Sequence, residues 1–283
     1  MKGEQSISAL CQLLGASRSG YYRWARRQPT QREREDAVLD EKIRKVHRKG
    51  RGNYGAPRIV EALQAEGVAI SKRRCARLMK ARGLRGRKRA RRWTRTTDSR
   101  HACAPAENLL AHQPAPSGPN QAWVTDITYV QTAEGWLYVA AILDLWSRRI
   151  VGWACSSTLH VSLVQDALAR ALRHRRPPPG LLHHSDRGVQ YACADYRATL
   201  AAAGLVCSMS RKANCYDNAT MESFWSTLKT ETGLDDAIPV SRGAAQLIVF
   251  DYIETFYNPS RLHSSLGYLS PVAFENQLTK QVA

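Results

Sequence analysis

The chain has 283 residues, 43% of them hydrophobic, and a formal net charge of +18 at pH 7. This is ample apolar content for a core, and no apolar run approaches the ~18 residues of a membrane span. The early residues lack a signal-peptide pattern, and the seven cysteines are scattered without a CxxC pair; both point away from a secreted disulfide framework and toward a cytoplasmic protein with reduced thiols.

The charge is unevenly spread. Residues 1–100 hold 28 Lys/Arg against 9 Asp/Glu, while residues 101–283 hold 14 against 15. Such asymmetry predicts a polyanion-binding first third, with salt-sensitive binding driven by counterion release, ahead of a charge-balanced body.

In chain order, Ile7, Leu10, Cys11 and Leu14 have helical spacing, Gly15 breaks the helix, and Ser17 or Ser19 can cap a second one. Residues 5–24 thus read as a small helix–turn–helix, or equally as a helical packing unit without base contacts. Residues 30–49 are a charged helix with a thin stripe of Val38, Ile43 and Val46, expected to be solvated or to bridge domains. Residues 54–83 make a stronger helix–turn–helix. Pro57 suits a first turn, Gly67 a stop, Ser71 a cap and Gly83 a second stop. In the helix Lys72–Arg82, Cys75, Leu78 and Met79 face one way, and Arg73, Arg77 and Lys80 the other, as expected of a helix that packs inward and meets DNA outward. Arg85–Arg95 carries seven basic residues and no acid; Arg87, Lys88, Arg89, Arg91 and Arg92 in it suit DNA phosphates or a minor groove. Ala102–Asn120 is rich in Ala, Pro and Ser and reads as a linker.

The body is expected from Asn120. Strands are predicted over Gln121–Val130, Trp136–Leu143 and Arg149–Cys155. A helix follows over Val161–Arg173, then a strand over Leu181–Ser185, a helix over Cys193–Ala203 and a strand over Leu205–Ser210. Three early strands followed by helix–strand alternation predict a mixed α/β sheet covered on both faces. A last long helix is predicted over Arg242–Phe256, with Tyr257–Pro271 as a packed cap.

Three carboxylates carry the chemistry. Asp126 sits in QAWVTDITYV, a β-branched and aromatic run where an ionised side chain needs a partner charge or a metal. Asp186 ends the apolar run that starts at Leu181. Glu222 lies on a predicted helix within Asp217–Thr230, started by Asp217 or Asn218. Met221, Phe224, Trp225 and Leu228 form the core side of that helix, and Glu222, Ser226 and Lys229 share a different face. Three carboxylates from two strands and a helix make a hard oxygen site suited to Mg²⁺ or Mn²⁺. Two such ions ~4 Å apart can clamp the attacking and leaving oxygens of a phosphodiester. Asp144 reads as a turn residue, His183 and His184 as locally hydrogen-bonded, and Arg261 and His263 as packing residues. Arg187, Asn218 and Lys229 are candidate DNA contacts, with structural pairing an equal alternative. No zinc spacing, P-loop, GxGxxG or Ser/His/Asp pattern occurs.

The motifs WVTDITYV, HHSDRGVQY and DNATMESFWSTLK, with YNPSRLHSSLGYLSP at Tyr257–Pro271, resemble the OrfB-type transposases of the IS-three group of bacterial insertion sequences, within the retroviral-integrase superfamily of DDE recombinases. The 35 residues between Asp186 and Glu222 match that family, as does a base at Lys229, seven residues after the glutamate. The resemblance implies a ribonuclease-H-like catalytic core over residues 120–276, followed by a tail at 277–283. Ahead of the core stand small all-α helix–turn–helix domains: a basic region at 1–49, a DNA-binding domain with basic tail at 50–95, and a linker at 96–119. It implies Asp126, Asp186 and Glu222 as the metal-holding catalytic triad, with two Mg²⁺ or Mn²⁺ ions. Cleavage of element ends and joining of the 3′-hydroxyl to target DNA would follow. It further implies a homo-oligomer on paired ends, with a possible upstream-frame product as partner.

Overall fold

The computed structural model describes residues 6–88, 106–211 and 218–282, with side chains through Gln277. The first segment holds five helices: α1 (Ile7–Leu13), α2 (Arg18–Ala25), α3 (Gln31–Lys49), α4 (Ala56–Ala65) and α5 (Lys72–Ala81). Their starts follow side-chain chemistry. Ser17, the nearer of the two serines, caps α2 by accepting from the Gly20 N–H, and Ser71 caps α5 by accepting from Arg74. Thr30 and Glu33 form a reciprocal capping box at the head of α3.

Helix α3 departs from the expectation of a solvated connector. It buries Leu39, Ile43 and Val46, at i, i+4 and i+7, in a cluster shared with Ile59 and Leu63 of α4 and Cys75 and Leu78 of α5. Val38, counted on the apolar stripe from sequence, is 58% exposed. One residue is a 100° turn of the helix, so the stripe runs through Leu39 instead. Polar pairs add to the packing: Asp36 accepts from Arg74 and Arg77, and buried Asp40 from Arg82.

Five strands follow: β1 (Ala122–Thr132), β2 (Gly135–Asp144), β3 (Ile150–Ser156), β4 (Leu182–Ser185) and β5 (Val206–Met209), in the order β3-β2-β1-β4-β5. β1, β2 and β3 pair antiparallel, whereas β4 and β5 run parallel to β1. Alternation along the strands splits the core in two. Trp123, Ala140, Ile142 and Val151 face α6 (Val161–Arg175), α7 (Val189–Ala192) and α8 (Ala194–Ala202). Gly152 makes the closest approach: a Cβ there would stand 2.4 Å from the Ala167 carbonyl oxygen of α6. Val124, Val139, Ala141 and Leu143 face the other way, toward α9 (Ala219–Thr232) and α10 (Arg242–Phe250).

The predicted last helix is not uniform. α10 passes into a π-helical stretch, Asp251–Tyr257, whose Tyr252, Ile253, Phe256 and Tyr257 are all buried. The tail motif then packs as expected. The Asn258 side chain bonds both the N–H (2.9 Å) and the carbonyl (3.0 Å) of Ile150. α11 (Pro271–Val282) presents Glu275 to Arg149 and Arg175. The described part of the sequence-predicted linker is also packed: Met209 N–H of β5 bonds the Glu107 carbonyl at 3.2 Å.

The helical unit and the sheet share one apolar cluster. Tyr54 stands 6.3 Å from the Phe256 ring, and its hydroxyl accepts from the Leu262 N–H at 2.9 Å. Arg58 donates to the Leu262 carbonyl at 3.1 Å, and Arg51 pairs with Asp251.

Candidate active site

The last paired residues of parallel β1 and β4 are Val124 and His184. Continuing that register by two residues sets Asp126 beside Asp186, on the Val124 face of the sheet, because side chains two apart share a face. Helix α9 covers that face. Its Met221, Phe224, Trp225 and Leu228 are buried, as the periodicity predicts, and the Trp225 indole N–H donates to the Asp126 carboxylate at 3.1 Å. Glu222, one turn before Trp225, is solvent-exposed in the first turn of α9.

Burial pushes the Asp126 carboxyl well above the usual range, and the nearby Asp186 carboxylate adds to it. Hydrogen bonds from the Ile127 N–H and Trp225 oppose that shift, and Glu222 adds a smaller push upward. Asp186 accepts from the Gly188 N–H at 2.9 Å, which fixes its orientation at the strand exit. Half-buried Lys229 is pulled below its ordinary pKa by burial, against the opposing influence of Asp235 and Asp126. Among the described residues, no three His, Cys, Asp or Glu side chains stand close enough together to hold a metal ion. The site thus joins two aspartates brought together by register with Glu222 on the covering helix, which bears on Asp126 more weakly than Asp186 does. Its all-oxygen, mutually repelling carboxylates still suit a hard divalent cation, which would lower the repulsion that raises Asp126.

Asn218 precedes α9 but makes no cap bond. Its buried amide instead donates to the Thr125 carbonyl at 3.3 Å, tying the helix start to β1, and Asp217 lies outside the described residues. Arg187 donates to the Ser210 carbonyl at 2.7 Å. Asp144 is fully buried and accepts from Asn120, Trp146 and Ser147, the turn role expected of it. His183 bonds the Tyr196 hydroxyl at 2.8 Å, and His184 bonds Ser208 and Ser210, so both histidines are engaged within the core. Burial pushes His183 down to about 3.

On the helical unit, Arg73 and Lys80 are exposed, whereas Arg77 is held by Asp36 at 2.6 Å. Arg87 reaches the end of α9, donating to the Glu231 carbonyl and to Asp236. Lys88 is exposed; Arg89, Arg91 and Arg92 lie outside the described residues. Sequence reasoning missed two residues. The Trp225 indole, counted only as core, also orients Asp126; its position one turn after Glu222 was the available signal. Glu231 makes a bidentate ion pair with Arg261 at 2.6 and 2.8 Å, both side chains buried, and accepts from the Tyr252 hydroxyl. Nothing in the spacing pairs residues thirty apart.

A family model described as "Integrase core domain" matches residues 116–215, a second of the same description matches 203–271, and an "HTH-like domain" model matches 33–92. The chain is 46% identical to the "Insertion element IS600 uncharacterized 31 kDa protein" of Shigella sonnei, over 97% of this chain and 100% of that one. It is 40% identical to the "Transposase InsF for insertion sequence IS3A" of Escherichia coli K12, over 98% and 96%. Among solved structures, the HTLV-2 integrase catalytic core domain in complex with magnesium is 14% identical, with a TM-score of 0.43 over 56% of this chain and 98% of that one.

Proposed function

Because this chain belongs to the IS3-family transposases, with an integrase core behind a helix–turn–helix-like region, we propose that it cuts the ends of its insertion sequence and joins the freed 3′-hydroxyl to target DNA. The first step is hydrolysis, in which water attacks the phosphodiester and the 3′ oxygen leaves as the free hydroxyl; the second is transesterification, in which that hydroxyl attacks a target phosphodiester and displaces its 3′ oxygen. Neither passes through a covalent protein–DNA bond. What supports the reading is the aspartate pair: Asp126 on β1 and Asp186 just past the end of β4, near enough to act on Asp126, with Glu222 on the helix that covers them.

Asp126, Asp186 and Glu222 are the residues that would hold divalent ions, Mg²⁺ or Mn²⁺ and two in number on this reading. When bound, such ions supply charge stabilisation for the phosphorane and leaving oxygens, which carboxylates cannot give. The chain's own groups set the geometry. Trp225 and the Ile127 N–H hold Asp126, and the Gly188 N–H holds Asp186. Lys229, close enough to feel Asp126, offers an ammonium to the incoming phosphate. Exposed Arg73, Lys80 and Lys88 on the helical unit would meet the terminal DNA, and Arg77 only by giving up Asp36. We draw the DNA-meeting unit from α3, which packs with α4 and α5, rather than from residue 50; with a catalytic core at 120–276 this fits the sharing of tasks, and a homo-oligomer on paired ends would complete the joining step.

Incubating the protein with Mg²⁺ or Mn²⁺ and labelled terminal DNA tests the reading. Joined products are expected; nicking alone would indicate a nuclease, and a gel shift without either a DNA-binding repressor. Asp126→Asn, Asp186→Asn and Glu222→Gln should each abolish cleavage yet spare end binding. A substantially active single variant refutes the triad.

A further inference from the structure

A second polar cleft lies on the opposite side of α9 from Glu222. Thr220, Ser223 and Thr227 line it from the helix, about 100–160° around the axis from Glu222 and so on another face. Its volume is about 410 Å³. Three guanidinium groups from three parts of the chain meet there: Arg58 from α4, Arg148 after β2, and Arg261 from the tail motif.

The charge there is not balanced. Among the described residues, Glu231 is the carboxylate that acts chiefly on Arg58 and Arg261, and Arg261 takes both of its oxygens. Arg58 is pulled below its ordinary value by burial and then by repulsion from Arg261. His263, in the same wall, is held down to about 3 by burial and then by Arg261, Arg58 and Arg148, so it stays neutral and adds no charge. Partly buried positive charges without matching carboxylates are costly unless an anion joins them.

Donors are arranged around that charge. Arg148 is fixed by a 2.8 Å bond to the Thr220 hydroxyl, at a left-handed backbone φ of 61°. Among the described residues, the hydroxyls of Ser223, Ser264 and Ser265 make no hydrogen bond, and all three residues are exposed at the rim of the cleft. Guanidinium forks and hydroxyls are the chemistry that receives a phosphate.

We propose that this cleft binds a backbone phosphodiester of DNA, gripping the duplex between the helical unit and the catalytic sheet. The inference rests on the transposase reading above, and it gives the tail motif Arg261–Ser265 a DNA-positioning role.

Binding of a 40-base-pair duplex by the full chain, measured across a salt series, tests it. Arg148→Gln removes a guanidinium, and Ser265→Glu places a carboxylate at the exposed rim without disturbing a hydrogen bond. Each variant is expected to bind about tenfold more weakly at low salt, and to lower the slope of log Kd against log salt by about 0.9, one phosphate contact. Thermal unfolding of each variant verifies the fold, and Ser265→Glu carries the test if Arg148→Gln proves unstable. Wild-type binding with an unchanged slope in Ser265→Glu overturns the inference and leaves the transposase reading standing. A wild-type chain that binds no duplex overturns both. If 10 mM inorganic phosphate stabilises the wild type but not Ser265→Glu, while the DNA slopes agree, the cleft serves a free anion and the DNA assignment fails.

Discussion

Replacing Asp126 by asparagine should make the metal-free protein more stable while removing its chemistry. Asp126 lies on β1 and Asp186 just past the end of β4, so extending their register sets the two carboxylates about 5 Å apart by strand spacing. Two unit charges at that separation, in an effective dielectric of ~20, repel by about 3 kcal/mol. Asparagine keeps an oxygen for the Trp225 N–H, at a loss of about 1 kcal/mol from the weaker neutral hydrogen bond. The net gain at pH 7 is therefore on the order of 1–3 kcal/mol. Its pH dependence has a definite sign. The folded Asp126 carboxyl titrates above its unfolded value, so the native state binds more protons over the interval between the two. Stability of the parent protein falls as pH rises through that interval, and the variant escapes the fall. Urea unfolding followed by tryptophan fluorescence, in EDTA, should show near-equal stabilities at about pH 2.5, more than a unit below the ordinary aspartate value of about 3.9, and a clear advantage for Asp126→Asn at pH 7. Adding Mn²⁺ should raise the parent and leave the variant nearly unmoved. A variant less stable than its parent at pH 7 in EDTA would show that the carboxylate is a net structural acceptor, and the repulsion argument would fail.

Arg261→Met should destabilise by about 3–5 kcal/mol, because it strands buried Glu231 without a counter-charge. The double change Arg261→Met with Glu231→Leu should recover most of that loss, and denaturant midpoints of the three proteins decide it. Gly152→Ala should lower the melting temperature through a cost of about 1–3 kcal/mol or more, since α6 backbone occupies the space a methyl would need; scanning calorimetry measures the drop.

The strands were legible because β1 to β3 are long β-branched and aromatic runs with turns between them, and β4 and β5 are short apolar runs bounded by turn residues. The Glu222 helix was legible because its apolar residues keep a 3.6 period over four positions. α3 was misread by one residue: in a helix with so few apolar side chains, Val38 and Leu39 compete for one stripe, and only contact with α4 and α5 decides between them. The π-helical stretch at Asp251–Tyr257 left no local signal, since its buried residues at i, i+1, i+4 and i+5 suit one face of an ordinary α-helix equally well. At the site, residue types and spacing pointed to Asp126, Asp186 and Glu222, but not to the Trp225 bond that orients Asp126 or to the weaker influence of Glu222 on it. Cross-strand register and the turn of α9 set both. Arg77, Arg87 and Asn218 have their structural partners in residues far along the chain, which composition alone could not anticipate.

Tyr54 enters the apolar mass that supports α9, and its hydroxyl holds the backbone at Leu262. The part of the molecule that would read DNA and the part that would cut it thereby share a common interior among the described residues. A terminal sequence gripped by the helices would be presented to the carboxylates at a set reach and angle. The bending needed to bring a scissile phosphate home falls to the nucleic acid, and duplexes that flex easily near the cut should be processed first.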